Sequence, residues 1–236
     1  MSNELILLAG TAATLGFIHT VIGPDHYLPF IVLSKARKWS TFKTVLITFL
    51  CGLGHILSSV LLGFVGIAIG AAVFKMEAIE SHRGDIAAWL LLIFGFTYFI
   101  WGLHRAYRNK HHEHPHEHEE RAHAHTHSHL GEHTHPHISK EKSLTPWVLF
   151  IIFVFGPCEP LIPLIMYPAA TSGGMFSVAV VAGVFGLVTI GTMITIVLAA
   201  VFGLSKLPVQ KLERFSHALA GLAIFLCGGA IKFLGL

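Results

Sequence analysis

Residues 19–33 read HTVIGPDHYLPFIVL, a run in which Gly23-Pro24 interrupts apolar sequence between His19 on one side and Asp25 and His26 on the other. Proline withholds a backbone donor and clashes with the preceding turn, so Pro24 predicts a broken first helix. A second version occurs as GPCEPLIPLIM from Gly156, where Pro157 predicts another break, followed directly by Cys158 and Glu159. In both places a further proline-marked apolar run follows.

The surroundings are apolar throughout. The chain of 236 residues is 53% hydrophobic and 12% charged, with a mean hydropathy of +0.67, whereas soluble domains are about one quarter charged. Six stretches, 5–33, 44–74, 86–103, 147–168, 176–202 and 215–236, are long enough, or nearly so, to cross a hydrocarbon core. They predict an all-α integral membrane protein with six transmembrane helices, the first and fourth of them broken. The N-terminus has Glu4 but neither a basic n-region nor a small-residue cleavage site, so the first stretch is expected to be retained as a helix. Cys51, Cys158 and Cys227 lie far apart in apolar sequence, an odd set that makes no disulfide framework. Cys51 and Cys227 read as small core residues.

Charge placement sets the topology. Lys35, Arg37, Lys38 and Lys43 fill the first loop, Arg105, Arg108, Lys110, Arg121, Lys140 and Lys142 the third, and Lys206, Lys211 and Arg214 the fifth. The even loops hold only Lys75 and Arg83, offset by Glu77, Glu80 and Asp85. Cytoplasmic loops collect Lys and Arg, so the odd loops are expected inside and both termini outside, in a multi-pass protein of the cytoplasmic membrane. The basic residues make no nucleic-acid footprint.

A polar insert divides the chain into a first three-helix repeat (1–103), a His-rich cytoplasmic loop (104–145) and a second three-helix repeat (146–236). The insert has no apolar face to bury and is expected to be disordered. The second and fifth stretches are both glycine-rich, as CGLGHILSSVLLG from Cys51 and GVFGLVTIGTMITIVL from Gly183. An odd number of crossings per half inverts the second repeat relative to the first. Gly/Pro-interrupted segments at matching positions of inverted repeats point to a site near the bilayer midplane.

The residues at the breaks suit a cation. A central Asp costs roughly 2.5–3.5 kcal/mol on insertion scales, so Asp25 and Glu159, the carboxylates within the expected spans, need a partner or a wet cavity. No Lys or Arg is expected beside them, but His19, His26 and His55 are near. Neutral imidazoles with a carboxylate describe a site for a divalent transition metal. His19 and His26 are seven residues apart, two helical turns, and His55 lies between Gly52 and Gly54, which allow close helix approach. Ser58 and Ser59 are positioned to support the imidazoles. Cys158 and Glu159 either complete the ligand set or act as packing and as a proton carrier. Thr189, Thr192 and Thr195 read as packing on one helical face, and Met166, Met175 and Met193 as core. Gly23, Pro24, Gly156 and Pro157 form the breaks.

With HTVIGPDH followed by a basic loop and then GLGH, the chain resembles the nickel/cobalt transporter superfamily, including the NicO group and the UreH- and HupE-like permeases, over essentially its whole length. Members of that group carry a His-rich hydrophilic insert between helical halves. The resemblance implies metal-binding roles for His19, Asp25 and His26, with His55 as the histidine of the next helix. Where nickel/cobalt permeases have His-x4-Asp-His, this chain has one more residue between His19 and Asp25. The Gly-Pro segments also resemble the CcdA/DsbD transmembrane thiol carriers, which place a redox cysteine after the break in each half. Here the second half has Cys158, and the first has Asp25 in the matching place.

Twelve histidines, His111, His112, His114, His116, His118, His123, His125, His127, His129, His133, His135 and His137, crowd the insert. Such a tract is a compositional signal for metal capture or buffering, with affinity falling below about pH 6.5 as protons compete for imidazole. The expected function is transport of divalent transition-metal ions, nickel or cobalt first and zinc next, as substrate and not as a prosthetic group. Lipid and the metal ion are the expected partners, joined by a cytoplasmic metallochaperone or by urease or hydrogenase maturation proteins. No GxxxxGK[ST] segment occurs, and no enzyme activity is expected. The rivals are a thiol-redox carrier of CcdA type, a sulfite-like small-anion exporter, and a non-transporting metal-binding assembly factor.

Overall fold

The computed structural model describes residues 3–108, 112–118, 121–127, 144–170, 174–205 and 210–235. The described chain is helical apart from one hairpin in the insert. Helix α1 (Asn3–Ile22) ends at the first break, and α2 (Leu28–Ala36) resumes after it. Long helices α3 (Thr41–Ala68) and α4 (Val73–Arg108) complete the first half. In the second half α5 (Thr145–Phe155) and α6 (Leu161–Ala170) flank the other break, followed by α7 (Gly174–Ser205) and α8 (Ser216–Leu234).

Among the described residues five helical stretches, α1, α3, α4, 174–204 and 213–234, are long and apolar enough to cross a membrane. The segments α5 and α6 have 11 and 10 residues, about 15 Å each at 1.5 Å per residue, half a hydrocarbon core. Exposure runs the opposite way from a soluble protein. Leu7, Phe42 and Leu187 are 72%, 77% and 77% exposed, while Thr20, Thr48, Ser59 and Glu80 are wholly buried. Two of the buried threonines turn inward on their own helices: Thr20 donates to the Gly16 carbonyl at 2.7 Å and Thr48 to that of Thr44 at 2.9 Å. Apolar helices with a lipid-ready exterior make this a multi-pass integral membrane protein.

The helices of the two halves pack across one another. α1 lies on α7 and α5 on α3, while α6 contacts both α3 and α7 and α2 rests on α8. The most extensive contact joins α4 and α8, which run antiparallel. Here the glycines do what packing in hydrocarbon asks of small residues, letting backbones touch. A methyl at Gly95 would strike the backbone of Phe225, one at Gly102 that of Ala218, one at Gly221 that of Phe99, and one at Gly228 would lie 2.9 Å from the Leu92 nitrogen. Gly95 and Gly102 are seven residues apart, as are Gly221 and Gly228.

Two apolar clusters fill the interior. One, with Phe30, Leu33, Leu149 and Ile224, occupies the end toward the insert; the other, with Leu161, Ile165, Val178 and Phe185, occupies the opposite end. Both helix breaks lie between them.

Several boundaries differ from the sequence reading. α4 starts at Val73, not residue 86, and continues to Arg108, so the insert is shorter than 104–145. The reason is periodicity: Met76, Glu80, Ala87 and Leu91 continue one buried face through the charged stretch. Within the insert, expected to be disordered, β1 (His112–His118) pairs antiparallel with β2 (Arg121–His127), setting His112 opposite His127, His114 opposite His125 and His116 opposite His123. Alternation of His with other residues has the two-residue period of a strand, which suits such a ladder. His111, His129, His133, His135 and His137 lie outside the described residues. Met175 is 58% exposed, unlike the buried Met166 and Met193. Thr189 is buried but Thr195 is exposed, so that threonine series is no single packing face.

Gly221→Leu is expected to lower the unfolding midpoint in detergent, overpacking costing about 1–3 kcal/mol, because its side chain meets backbone. Gly183→Ala, where an added methyl meets nothing within 4 Å, should leave the midpoint at or above that of the unsubstituted chain. Equal midpoints for Gly221→Leu and the unsubstituted chain would refute the close approach.

Candidate metal centre

Breaking a helix in hydrocarbon frees carbonyls and amides that must find partners. At the first break a 3-10 turn, Pro24–His26, closes part of the gap, with the Gly23 amide donating to His19 at 3.0 Å and the His26 amide to Gly23 at 3.1 Å. The His26 side chain takes the rest. Its Nδ1 lies 3.2 Å from the Gly23 carbonyl and 3.0 Å from Oδ1 of Asp25. Both are acceptors, so Nδ1 carries the proton, and Nε2 is left as an acceptor with a free lone pair.

The second break does the same through another helix. His55, on α3, hydrogen-bonds the Phe153 carbonyl at the end of α5. A methyl at Gly156 would lie 3.0 Å from its Nδ1, and one at Gly23 would lie 2.7 Å from Nδ1 of His26. Only glycine lets each imidazole sit so close to its break. The Nε2 atoms of His26 and His55 are both buried and without a hydrogen-bond partner.

His19, at the end of α1, completes the group. Ring centroids are 4.6 Å apart for His19 and His26, 5.1 Å for His26 and His55, and 6.1 Å for His19 and His55. One ligand atom from each lies within 4.8 Å of the others. Metal–imidazole bonds of about 2.0–2.1 Å place ligand nitrogens roughly 3.4 Å apart around a tetrahedral ion. A closing of up to about 1.4 Å, within reach of side-chain rotation, would therefore turn this trio into a coordination site. Two buried imidazole nitrogens without partners, on rings grouped with a third, are what a metal ion would satisfy.

The other residues singled out in the sequence surround the trio. Asp25 lies behind His26, a carboxylate–histidine arrangement that fixes tautomer and ring orientation. Cys158 is wholly buried with Sγ 3.9 Å from Nε2 of His19. Glu159 is exposed and stands on the wall of a cavity of about 560 Å³ that His19, Asp25, His26 and His55 also line. Ser58 and Ser59 do not support the imidazole rings. Ser58 donates to the His55 carbonyl at 2.8 Å, and both serines accept from Arg83, at 2.7 and 3.4 Å.

Arg83 and Glu80 are the residues that sequence reading missed. Expected in a loop, they lie on α4 against the second break. Arg83 reaches Glu80 at 2.7 Å, the Val154 carbonyl at 2.7 Å and the Gly156 carbonyl at 3.4 Å. Glu80, wholly buried, accepts from the Cys158 amide at 3.3 Å. The pair meets the backbone groups that the break exposes, and so sets the segment against which His55 rests. The signal was available in the 3.6-residue spacing of Met76, Glu80, Ala87 and Leu91.

Comparison with known proteins adds a family. The one described as cytochrome c biogenesis protein transmembrane region matches residues 27–230. The matched stretch includes His55, the Glu80–Arg83 brace and the second break, and starts one residue after His26. No curated protein and no solved structure matches.

Arg83→Met leaves Glu80 buried without its cation and should destabilise the protein by about 3–5 kcal/mol. Adding Glu80→Gln should recover part of that loss, read as the unfolding midpoint of the single and double variants. A single variant as stable as the unsubstituted protein would refute the brace.

Proposed function

The chain belongs to the family of cytochrome c biogenesis protein transmembrane regions, and from that premise we propose that it moves divalent transition-metal ions across the membrane through the His19–His26–His55 trio. The observation that carries the reading is the pair of buried Nε2 acceptors without partners, His26 and His55, beside a third imidazole. Imidazole favours nickel, cobalt, zinc and copper over calcium or magnesium. Nickel and cobalt are the proposed cargo, on the resemblance to nickel/cobalt permeases, and zinc the next candidate. Asp25 would hold His26 through its Nδ1–H, and Cys158 would be within reach of an ion displaced toward His19. The histidines of the insert would gather metal on the cytoplasmic side, where a metallochaperone or a urease or hydrogenase maturation protein could exchange it.

The proposed architecture is six crossings in two inverted repeats, with both termini outside. Reciprocal packing of α1 on α7 and α5 on α3 supports it. So do the glycine pairs of matching spacing where α4 meets α8. The termini follow from the Lys and Arg of the odd loops.

One observation favours a second reading, transmembrane thiol-redox carriage: Cys158 directly follows the second break, as a redox cysteine would. A thiol carrier needs a partner thiol, and Asp25 occupies the matching place in the first break. Cys51 and Cys227 pack in the apolar cluster toward the insert, whereas Cys158 packs in the other. Anion export is less well supported, because Arg83 uses its donors on Glu80, two serines and two carbonyls.

Metal flux into proteoliposomes tests the proposal. His26→Ala and His55→Ala should abolish nickel and cobalt flux. Asp25→Asn should weaken binding by about 10- to 100-fold, the usual range for loss of a supporting partner, with flux reduced accordingly. Flux should fall on acidification, since protons compete with the metal for the imidazole acceptors. Normal flux in His26→Ala would refute the site, and loss of thiol transfer in Cys158→Ser with metal flux intact would favour the redox reading.

A further inference from the structure

The cavity beside the trio is lined by His19, Asp25, His26 and His55, and by residues from the end of α1, the first half of α4, the end of α5 and the end of α8. Ser81, Asp85, Glu159 and Lys232 also line it, with Asp85 and Glu159 exposed, and Lys232 Nζ lies 2.6 Å from Oδ1 of Asp85. Ser81 lies in the first third of α4 and Lys232 near the end of α8, the helix ends that lie away from the insert. Toward the insert the way is filled. Phe30, Leu33, Leu149 and Ile224 are wholly buried there. Arg37, at the end of α2, is docked on Tyr98 at 3.2 Å, which in turn lies 2.8 Å from Nδ1 of His217.

We infer that the trio is loaded from the face opposite the insert, through this cavity, past a charged mouth formed by Glu159 and the Asp85–Lys232 pair. The inference rests on the metal reading for its cargo but not for its route. At the mouth two carboxylates face one ammonium, an excess of negative charge that concentrates cations over anions. Lys232, held by Asp85, limits that excess. A hydrated divalent cation passing the mouth would meet Asp25 and the trio at the inner end, with apolar packing and the Arg37–Tyr98 contact beyond it.

Substituted-cysteine labelling tests the route in sealed proteoliposomes, with the insert face identified by proteolysis of the insert. The chain's own buried cysteines set the background. Ala87→Cys, on the α4 wall, should react with a membrane-impermeant maleimide at least about fivefold faster from the face opposite the insert. Nickel should slow that reaction by at least about fivefold. Ile152→Cys, on the α5 wall, gives the same readout if Ala87→Cys does not fold. Equal reaction from both faces, or faster reaction from the insert face, would overturn the route. Sidedness without nickel protection would overturn the metal reading and leave the route standing. For the mouth, Lys232→Ala should lower the half-saturating nickel concentration from that face about threefold and Glu159→Gln should raise it. No change in either variant would overturn the mouth's role.

Discussion

The structure depends on satisfying backbone groups at two interruptions in hydrocarbon. A continuous helix closes its own hydrogen bonds, but Gly23-Pro24 and Gly156-Pro157 prevent closure, and the freed groups need partners from elsewhere in the protein. At each break one freed carbonyl is met by an imidazole, Gly23 by His26 and Phe153 by His55. That bond uses Nδ1 and leaves Nε2 buried without a partner. Chemistry at the site thus follows from the break itself, because the group that repairs the backbone presents a second nitrogen with nothing to bind. Glycine on the near side of both breaks lets the ring that makes the repair sit close, since a methyl would lie 2.7 Å from it at Gly23 and 3.0 Å at Gly156.

The two breaks are otherwise unlike. The first is repaired locally, by a 3-10 turn and by neighbours His26 and Asp25. The second is repaired from a distance, with Glu80 and Arg83 of α4 reaching the Cys158 amide and the Val154 and Gly156 carbonyls. A buried ion pair contributes little stability in itself, because desolvation offsets its attraction. It is strongly specific, however: the Arg83 fork fits only when α3, α4 and the second break are in register. The first break is therefore the chemically equipped one, and the second the mechanically fixed one. His55, although on the first half, takes its orientation from the second.

Much of this was legible in the sequence. The breaks, their pairing, and His19, His26 and His55 could be read from Gly-Pro punctuation and from polar residues that have no business in an apolar run. Three things could not. Asp25 read as a ligand because a buried carboxylate invites that role, but only geometry shows its Oδ1 3.0 Å from Nδ1 of His26, where it can also orient that ring. Glu80 and Arg83 read as loop charges because hydropathy fades before residue 86, while the buried helical face continues to Met76. The α4–α8 seam was invisible because GFTYFIWG and GLAIFLCG look like ordinary apolar sequence until two backbones meet at their glycines.

That seam bears on how any cargo could pass. α4 and α8 touch backbone to backbone along their length, and polar contacts join them at both ends, Asp85 with Lys232 and Tyr98 with His217. Sliding or parting them would break every one of these contacts together, so they behave as one rigid support. The broken helices contact that support more sparingly. Arg37 of α2 reaches Tyr98 near the insert, and Arg83 grips the second break near the opposite face. A rearrangement that opened the insert side would need to free the first contact and separate Phe30 and Leu33 from Leu149 and Ile224. It could leave the Arg83 grip intact, keeping His55 in place while α1 and α2 carry His19 and His26. The three imidazoles would then part, since two ride on the segment that moves and one on the segment that is held. Release of a bound ion would follow from the same displacement that opens its way out.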